Sequence, residues 1–276
     1  MKKIILIALS ILYSFNLLAQ DSLAQTQNSS KTSRVSREQL SSVRVENATK
    51  QEGDNAYIHN NYIKAIKIYE TLLSTKGQSA DVYYNLGNCY YKAGDMAKAI
   101  LNYERALLLN PGDGDIRSNL EIARSKTVDK TNPAPQLFFV SWTNSLINCM
   151  GTDSWAKFGV FSFILFILTL YVFIFSKKVI LKKIGFIASI AFLVIVVAAN
   201  LFAAHQKDLM VNRNSAIIMT PSVTVKSTPN ESGTDLFIIH EGRKVSIKDN
   251  SMKEWKEITL EDGNVGWVKT ADLEII

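Results

Sequence analysis

The side chains best equipped for chemistry in this chain are two cysteines, Cys89 and Cys149, and three histidines, His59, His205 and His240. None of the histidines has a second His or Cys at ligand spacing, so no metal site is expected. Two cysteines are too few for a disulfide framework. A nucleophile needs a base within hydrogen-bond reach, and no Cys–His–polar arrangement occurs. The expectation is therefore a non-enzymatic protein without a cofactor. The formal charge of +6 collects in residues 31–44 and in a lysine cluster at 177–183. A nucleic-acid footprint would be a basic face on a folded domain, so no nucleic-acid partner is expected.

What must be positioned is instead a ladder of small and aromatic residues. From Glu46 the sequence repeats every 34 residues: AIKIYE (65–70) returns as AILNYE (99–104), Gly53-Asp54 as Gly87-Asn88, and Tyr57 as Tyr91. A fixed period of this size means stacked units rather than one globular core. Each unit divides into two helices, broken at Asn60-Asn61 and at Gly94-Asp95. Gly53, Gly87, Ala65 and Ala99 allow close helix approach, and Leu86, Tyr90, Tyr103 and Ala106 give an apolar seam. Pro111 cannot extend the preceding helix.

This spacing resembles the tetratricopeptide repeat. Tyr83, Leu86-Gly87, Tyr90, Ala99, Tyr103, Ala106 and Pro111 fall on signature positions of the second unit. The first unit is more degenerate, with Glu52 where Leu is usual and Gly77 where Pro is usual. Asp115 to Lys126 resembles the start of a third repeat, whose Asn119, Leu120 and Ala123 would cap the stack. The resemblance implies that the first helix of each unit lines a groove for a peptide or protein partner. By position that groove is Asn47, Lys50, Asp54, Tyr57, Asp81, Tyr84, Asn88 and Tyr91. Some relatives clamp a C-terminal carboxylate with a Lys and two Asn. Lys50 and Asn88 match two of these, but Asp54 replaces the other Asn and would repel the ligand. Lys50 and Asn88 can equally be solvated, and the tyrosines can be packing.

The termini of this ladder point to a membrane. Lys2 and Lys3 precede an apolar stretch from Ile4 to Leu18 with a small residue at Ala19, the pattern of an export signal over 1–19. Residues 20–45 are polar and read as a flexible linker. A second linker, 127–155, carries Pro133, Pro135 and the aromatic stretch LFFVSW that would meet an interface. Two long uncharged runs follow, giving transmembrane helices over 156–176 and 184–204. The loop between them, 177–183, holds Lys177, Lys178, Lys182 and Lys183, and a short Lys-rich loop stays cytoplasmic. Signal and lysines agree in sending the repeats and the C-terminal segment to the opposite side.

Residues 215–276 change to an alternating pattern: Ile217, Met219, Val223, Val225, Val245, Ile247, Ile258 and Leu260 are separated by turn signals such as EDGN (261–264). Short strands at this density suggest a small barrel. Gly266-Trp267-Val268 and Trp255 resemble bacterial SH3 domains, whose members bind cell-wall glycans or protein segments. Both tryptophans are expected in the core. The expected fold is multidomain: all-α tetratricopeptide helical repeats, two transmembrane helices and a small all-β SH3-like barrel.

This order of parts resembles the tetratricopeptide members of the Bacteroides aerotolerance (Bat) group. That resemblance implies a bacterial inner-membrane protein with its domains in the periplasm, acting in oxidative-stress tolerance. It implies protein partners: Bat proteins with von Willebrand A domains and, indirectly, a MoxR-type ATPase. The alternative is a sensor whose SH3-like domain reads peptidoglycan. Membrane lipid is a partner in either case.

Overall fold

The computed structural model describes residues 35–130, apart from 44, 46 and 47, and residues 137–276. The export signal over 1–19, residues 20–34 of the first linker, Asn47, Pro133 and Pro135 lie outside the described residues.

Among the described residues, six helices form the first body: α1 (Arg37–Ser41), α2 (Lys50–Ile58), α3 (Tyr62–Lys76), α4 (Ala80–Lys92), α5 (Met96–Leu109) and α6 (Gly114–Ser125). The pairs α2–α3 and α4–α5 are the two repeats. Each pair turns where the sequence offers a residue that tolerates left-handed backbone: Asn60 at φ 58° and, one period later, Gly94 at φ 86°. The next residue then caps the second helix, Asn61 accepting from the Lys64 amide and Asp95 from that of Lys98. Ala65, Ile66, Ile68, Ile100, Tyr103 and Ala106 are fully enclosed between the helices. Leu120 and Ala123 of α6 are buried in the same core, which closes the stack beyond α5.

Part of the segment read as a linker is ordered. Ser36 and Gln39 make a reciprocal capping box that starts α1, and Val35 and Leu40 are buried in the repeat core. Two apolar residues within a polar stretch do not change its average composition, so the segment reads as unstructured until the surface that receives them is known.

Two long apolar helices follow a short one, α7 (Phe138–Ile147). They are α8 (Thr152–Phe175, 24 residues) and α9 (Val179–Val211, 33 residues). Both are long and apolar enough to cross a membrane. They form an antiparallel hairpin: Trp155 at the start of α8 meets Phe202 near the end of α9 at 5.0 Å, edge to face. At the other end the space for a Cβ on Gly185 is taken by the backbone of Thr169 and Phe173. The turn is shorter than the loop expected at 177–183. It is Ser176 to Lys178, and Lys182 and Lys183 lie within α9. Lysine is a good helix former whose stem tolerates apolar surroundings, so the charges do not interrupt the helix.

The C-terminal domain is a seven-stranded antiparallel sheet: β1 (Ser215–Ile218), β2 (Ser222–Lys226), β3 (Asp235–His240), β4 (Lys244–Asp249), β5 (Trp255–Thr259), β6 (Val265–Lys269) and β7 (Leu273–Ile275). The order is β3-β2-β6-β5-β4-β1-β7. Its core takes Ala216, Ile218, Val225, Val245, Ile258 and Val268. Trp255 and Trp267 are not in that core. They sit half-buried on the outer face, because Lys256, Ile258, Gly266 and Val268 take the inward positions of the alternation. The pattern also fails in β1, where Ala216, Ile217 and Ile218 are all buried. Ile217, together with Met219 and Ile276, packs into the repeat core instead. The sheet is therefore docked on the helical body.

Ion pairs secure that docking. Glu104, 7% exposed, accepts from Arg124 of α6 and, at 2.7 Å, from Lys244 of β4. Arg105 reaches Glu274 at 3.0 Å and the Ile275 carbonyl at 2.7 Å. Asp129 accepts the backbone N–H of His240 at 2.7 Å and meets its ring Nδ1 at 2.8 Å.

Candidate partner-binding groove

The groove is built on a polar unit that recurs with the 34-residue period. In the first repeat, Asp54 Oδ1 accepts the Tyr69 hydroxyl at 2.5 Å and the Asn85 amide at 3.2 Å. In the second, Asn88 Oδ1 accepts the Tyr103 hydroxyl at 2.7 Å and the Asn119 amide at 3.0 Å. Each unit joins three helices: the acceptor on one, a tyrosine on its partner, and an asparagine on the first helix of the next pair. The glycine before each acceptor makes room for the ring. A Cβ on Gly53 would lie 2.5 Å from Tyr69, and one on Gly87 would lie 2.7 Å from Tyr103.

Around these units lie two adjoining cavities. The first, 300 Å³, is lined by Lys50, Asp54, Tyr57, Ile58, Tyr69, Asn85 and Asn88. The second, also 300 Å³, is lined by Tyr57, Tyr84, Asn88, Tyr91, Lys92, Tyr103, Asn119 and Ile122. Tyr57 and Asn88 belong to both. Of the residues expected in the groove, Lys50, Asp54, Tyr57, Tyr84, Asn88 and Tyr91 are thus brought together. Asp81 is not: it sits exposed in the first turn of α4 and lines neither cavity. Carboxylates are favourable at that end of a helix, which accounts for it without a ligand. Asn47 lies outside the described residues.

The sequence reading places Asn119 on a capping helix rather than in the groove, and does not single out Tyr69 or Asn85. The signal was present, since Tyr69 and Tyr103, and Asn85 and Asn119, are each one period apart. Ile58 and Ile122, exposed on the cavity rims, were passed over as well.

The electrostatics follow from this wiring. Burial alone would raise the carboxyl pKa of Asp54, but hydrogen bonds from Tyr69 and Lys50, with the Lys50 charge, outweigh it and hold the pKa below 3.8. Burial, then the adjoining Asp54, push the Tyr69 hydroxyl up, so it remains a donor. Lys50 lies 2.9 Å from Asp54 Oδ2 as an i,i+4 pair. The cation that would meet a ligand's terminal carboxylate is therefore already paired. In Asn88 the carbonyl oxygen is taken twice, and Nδ2 has no hydrogen-bond partner among the described residues. The described residues of the groove offer a fixed anion and an amide donor they leave unpaired, flanked by tyrosine faces.

Cys89 faces the core of the same repeat and is buried, and Cys149 is exposed; both are free thiols. Burial, with Asp54 nearby, pushes the Cys89 thiol up to about 12. No group of three or more His, Cys, Asp or Glu that could hold a metal ion occurs among the described residues.

Residues 80–113, which cover α4, α5 and the turn after them, match the family described as Tetratricopeptide repeat. A search of curated proteins finds no match to the chain. The matched segment contains the Gly87–Tyr103–Asn88 unit, so this part of the chain is a tetratricopeptide repeat. Repeats of this kind serve as protein–protein interaction scaffolds.

Proposed function

We propose that this chain is a non-enzymatic scaffold, anchored in a bacterial inner membrane by α8 and α9, whose repeat groove binds a segment of a protein partner. The observation that carries this is the pair of adjoining cavities sharing Tyr57 and Asn88. Together they suit an extended segment with two neighbouring side chains. The fixed charge of Asp54 and its hold on Lys50 favour an internal segment that offers N–H donors over a free C-terminal carboxylate. The resemblance in domain order supports a Bat-type complex linked to oxidative-stress tolerance, with von Willebrand A domain proteins as direct partners and a MoxR-type ATPase behind them. The export-signal pattern over 1–19 and the four lysines near the hairpin turn support a periplasmic position for the repeats and the sheet domain.

The test is site-specific photocrosslinking from Tyr57 in native membranes, followed by mass spectrometry. It is paired with Ile58→Ser and Ile122→Ser, which alter exposed cavity rims at little cost to folding. Loss of the von Willebrand A domain partners in these variants, at unchanged melting temperature, is the expected result. Full recovery of every partner would make the repeats a spacer.

One observation favours a second reading. Trp255 lines an open cavity of 710 Å³ with Asn230, Glu231, Lys253 and Lys269, a combination of aromatic face and polar groups that suits a sugar ring. In this reading the SH3-like domain reads peptidoglycan. A glycan titration followed by Trp255 fluorescence, with Trp255→Ala as control, discriminates the two.

A further inference from the structure

Helix α7 has its apolar side turned outward. Phe138, Phe139, Trp142 and Leu146 follow the spacing of one helix face, and they are 84%, 62%, 61% and 38% exposed. Asn144 lies on the opposite side of the turn, and Ile147 is the buried residue of the helix. A soluble helix hides such a stripe and shows its polar side. This one leaves the stripe exposed along with its polar Ser141, Asn144 and Ser145, and no charged residue occurs from Leu137 to Met150.

The foot of α7 is fixed in position. The Ile147 carbonyl accepts from Trp155 Nε1 at 2.9 Å and from Gln206 Nε2 at 2.7 Å. Gln206 also donates to the Met150 carbonyl at 2.8 Å. Trp155 opens α8, and Gln206 lies two residues, about 3 Å of helix rise, beyond Ala204, where the apolar run of α9 ends. The foot of α7 therefore sits where the hairpin leaves its apolar zone, beside the repeats. The space for a Cβ on Gly112, in the turn after α5, is filled by the Cys149 carbonyl, which pins the same point to the repeat body.

We infer that α7 is a third membrane-contacting element, lying in the plane of the leaflet on the repeat side with Phe138, Phe139, Trp142 and Leu146 in the acyl boundary. This rests on the reading of α8 and α9 as membrane spans. Interfacial helices bury their apolar face about 5–10 Å into that boundary, and an indole is favoured at headgroup depth. Without lysine or arginine, α7 needs no anionic lipid. Its occupant is the apolar surface of an ordinary zwitterionic bilayer.

The test uses the full chain in phosphatidylcholine nanodiscs holding one copy each. Spin labels are placed singly at Phe139→Cys, Asn144→Cys and, within α8, Phe163→Cys, in a Cys149→Ser background; buried Cys89 stays unlabelled. Accessibility to oxygen and to a water-soluble nickel chelate is then compared. Oxygen should dominate at Phe163 and Phe139, and the nickel chelate at Asn144. Nickel dominance at Phe139 with oxygen dominance at Phe163 overturns the inference and leaves the spans intact. Nickel dominance at Phe163 overturns the spans themselves. A label at Phe139 shielded from both reagents means a protein contact and also overturns it. As a measurement on native α7, quenching by lipids brominated near the headgroup should lose a component in Trp142→Phe; an unchanged quenching profile overturns the inference.

Discussion

Asp54 and Asn88 hold the same post in successive repeats: each accepts a tyrosine hydroxyl from 15 residues onward and an asparagine amide from 31 residues onward. These residues are thus the joints of the ladder as well as part of its open face. Truncating Asn88 leaves the Tyr103 hydroxyl without its acceptor and the Asn119 amide with only the Tyr84 hydroxyl at 3.0 Å, so Asn88→Ala is a stability mutation before it is a binding mutation. A buried group left unsatisfied costs about 1–3 kcal/mol, and the melting temperature of the full chain in detergent should fall accordingly. An unchanged melting temperature would show that the Tyr103 and Asn119 bonds contribute nothing.

The glycines before these joints give a second prediction. Gly87→Ala places a methyl against the Tyr103 ring, which is 1% exposed and tethered through its hydroxyl. The ring cannot yield cheaply. A cost of about 1–3 kcal/mol is expected, and the same from Ala99→Leu, where Ala99 is fully enclosed. The control is Gly114→Ala, which has nothing within 4 Å and should be neutral or slightly stabilising in denaturant titrations.

The carboxyl of Asp54 sets an acid limit. Its folded pKa is depressed below 3.8, so its contribution is complete above the unfolded pKa and is lost as pH falls through the folded value. Asp54→Asn, which copies the residue of the second repeat, keeps the acceptor and removes the titration. The variant should lose less stability than the wild type as pH falls below the ordinary carboxylate range. Equal acid limbs in the two unfolding curves would contradict the assignment.

The two cysteines should differ in reactivity. With its thiol raised to about 12 and its side chain buried, Cys89 has almost no thiolate at neutral pH. Exposed Cys149 should take one maleimide per chain in the native state, and Cys89 should react only after unfolding. Mass spectrometry of the alkylated chain reads this directly. A mobility shift on non-reducing gels that disappears in Cys149→Ser would reveal a disulfide and refute it.

For topology, cysteines at Gln78 and Ser251, both exposed, should label from outside intact cells in a Cys149→Ser background. One at Val179, beside the hairpin turn, should not. Labelling at Val179 alone would invert the arrangement.

The ladder and the long apolar helices were legible in the sequence because they are periodic or uniform: the returning motif, Pro111, and two uncharged runs. What was not legible depends on surfaces far apart in the chain. Val35 and Leu40 belong to the core only because α3 is there to receive them. β1 loses its alternation because its second face meets α5, and Trp255 and Trp267 turn outward because their neighbours take the inward register. Glu104 reads as one more repeat carboxylate, matching Glu70, which accepts from Tyr90 at 2.5 Å. Only the fold reveals that Arg124 replaces that tyrosine one period on and that Lys244, 140 residues away, takes the other oxygen.

Between the last residue of α9, Val211, and the first of β1, Ser215, there are three residues. Fully extended they cover about 10 Å, so on the proposed reading of α8 and α9 as membrane spans the sheet domain would have no tether with which to search the space above a bilayer. On that reading, a glycan strand or protein loop that meets Trp255 would have to come down to the membrane surface. The same shortness disfavours an exchange of sheet domains between neighbouring copies, since the crossing chain would have to leave its own hairpin to reach another.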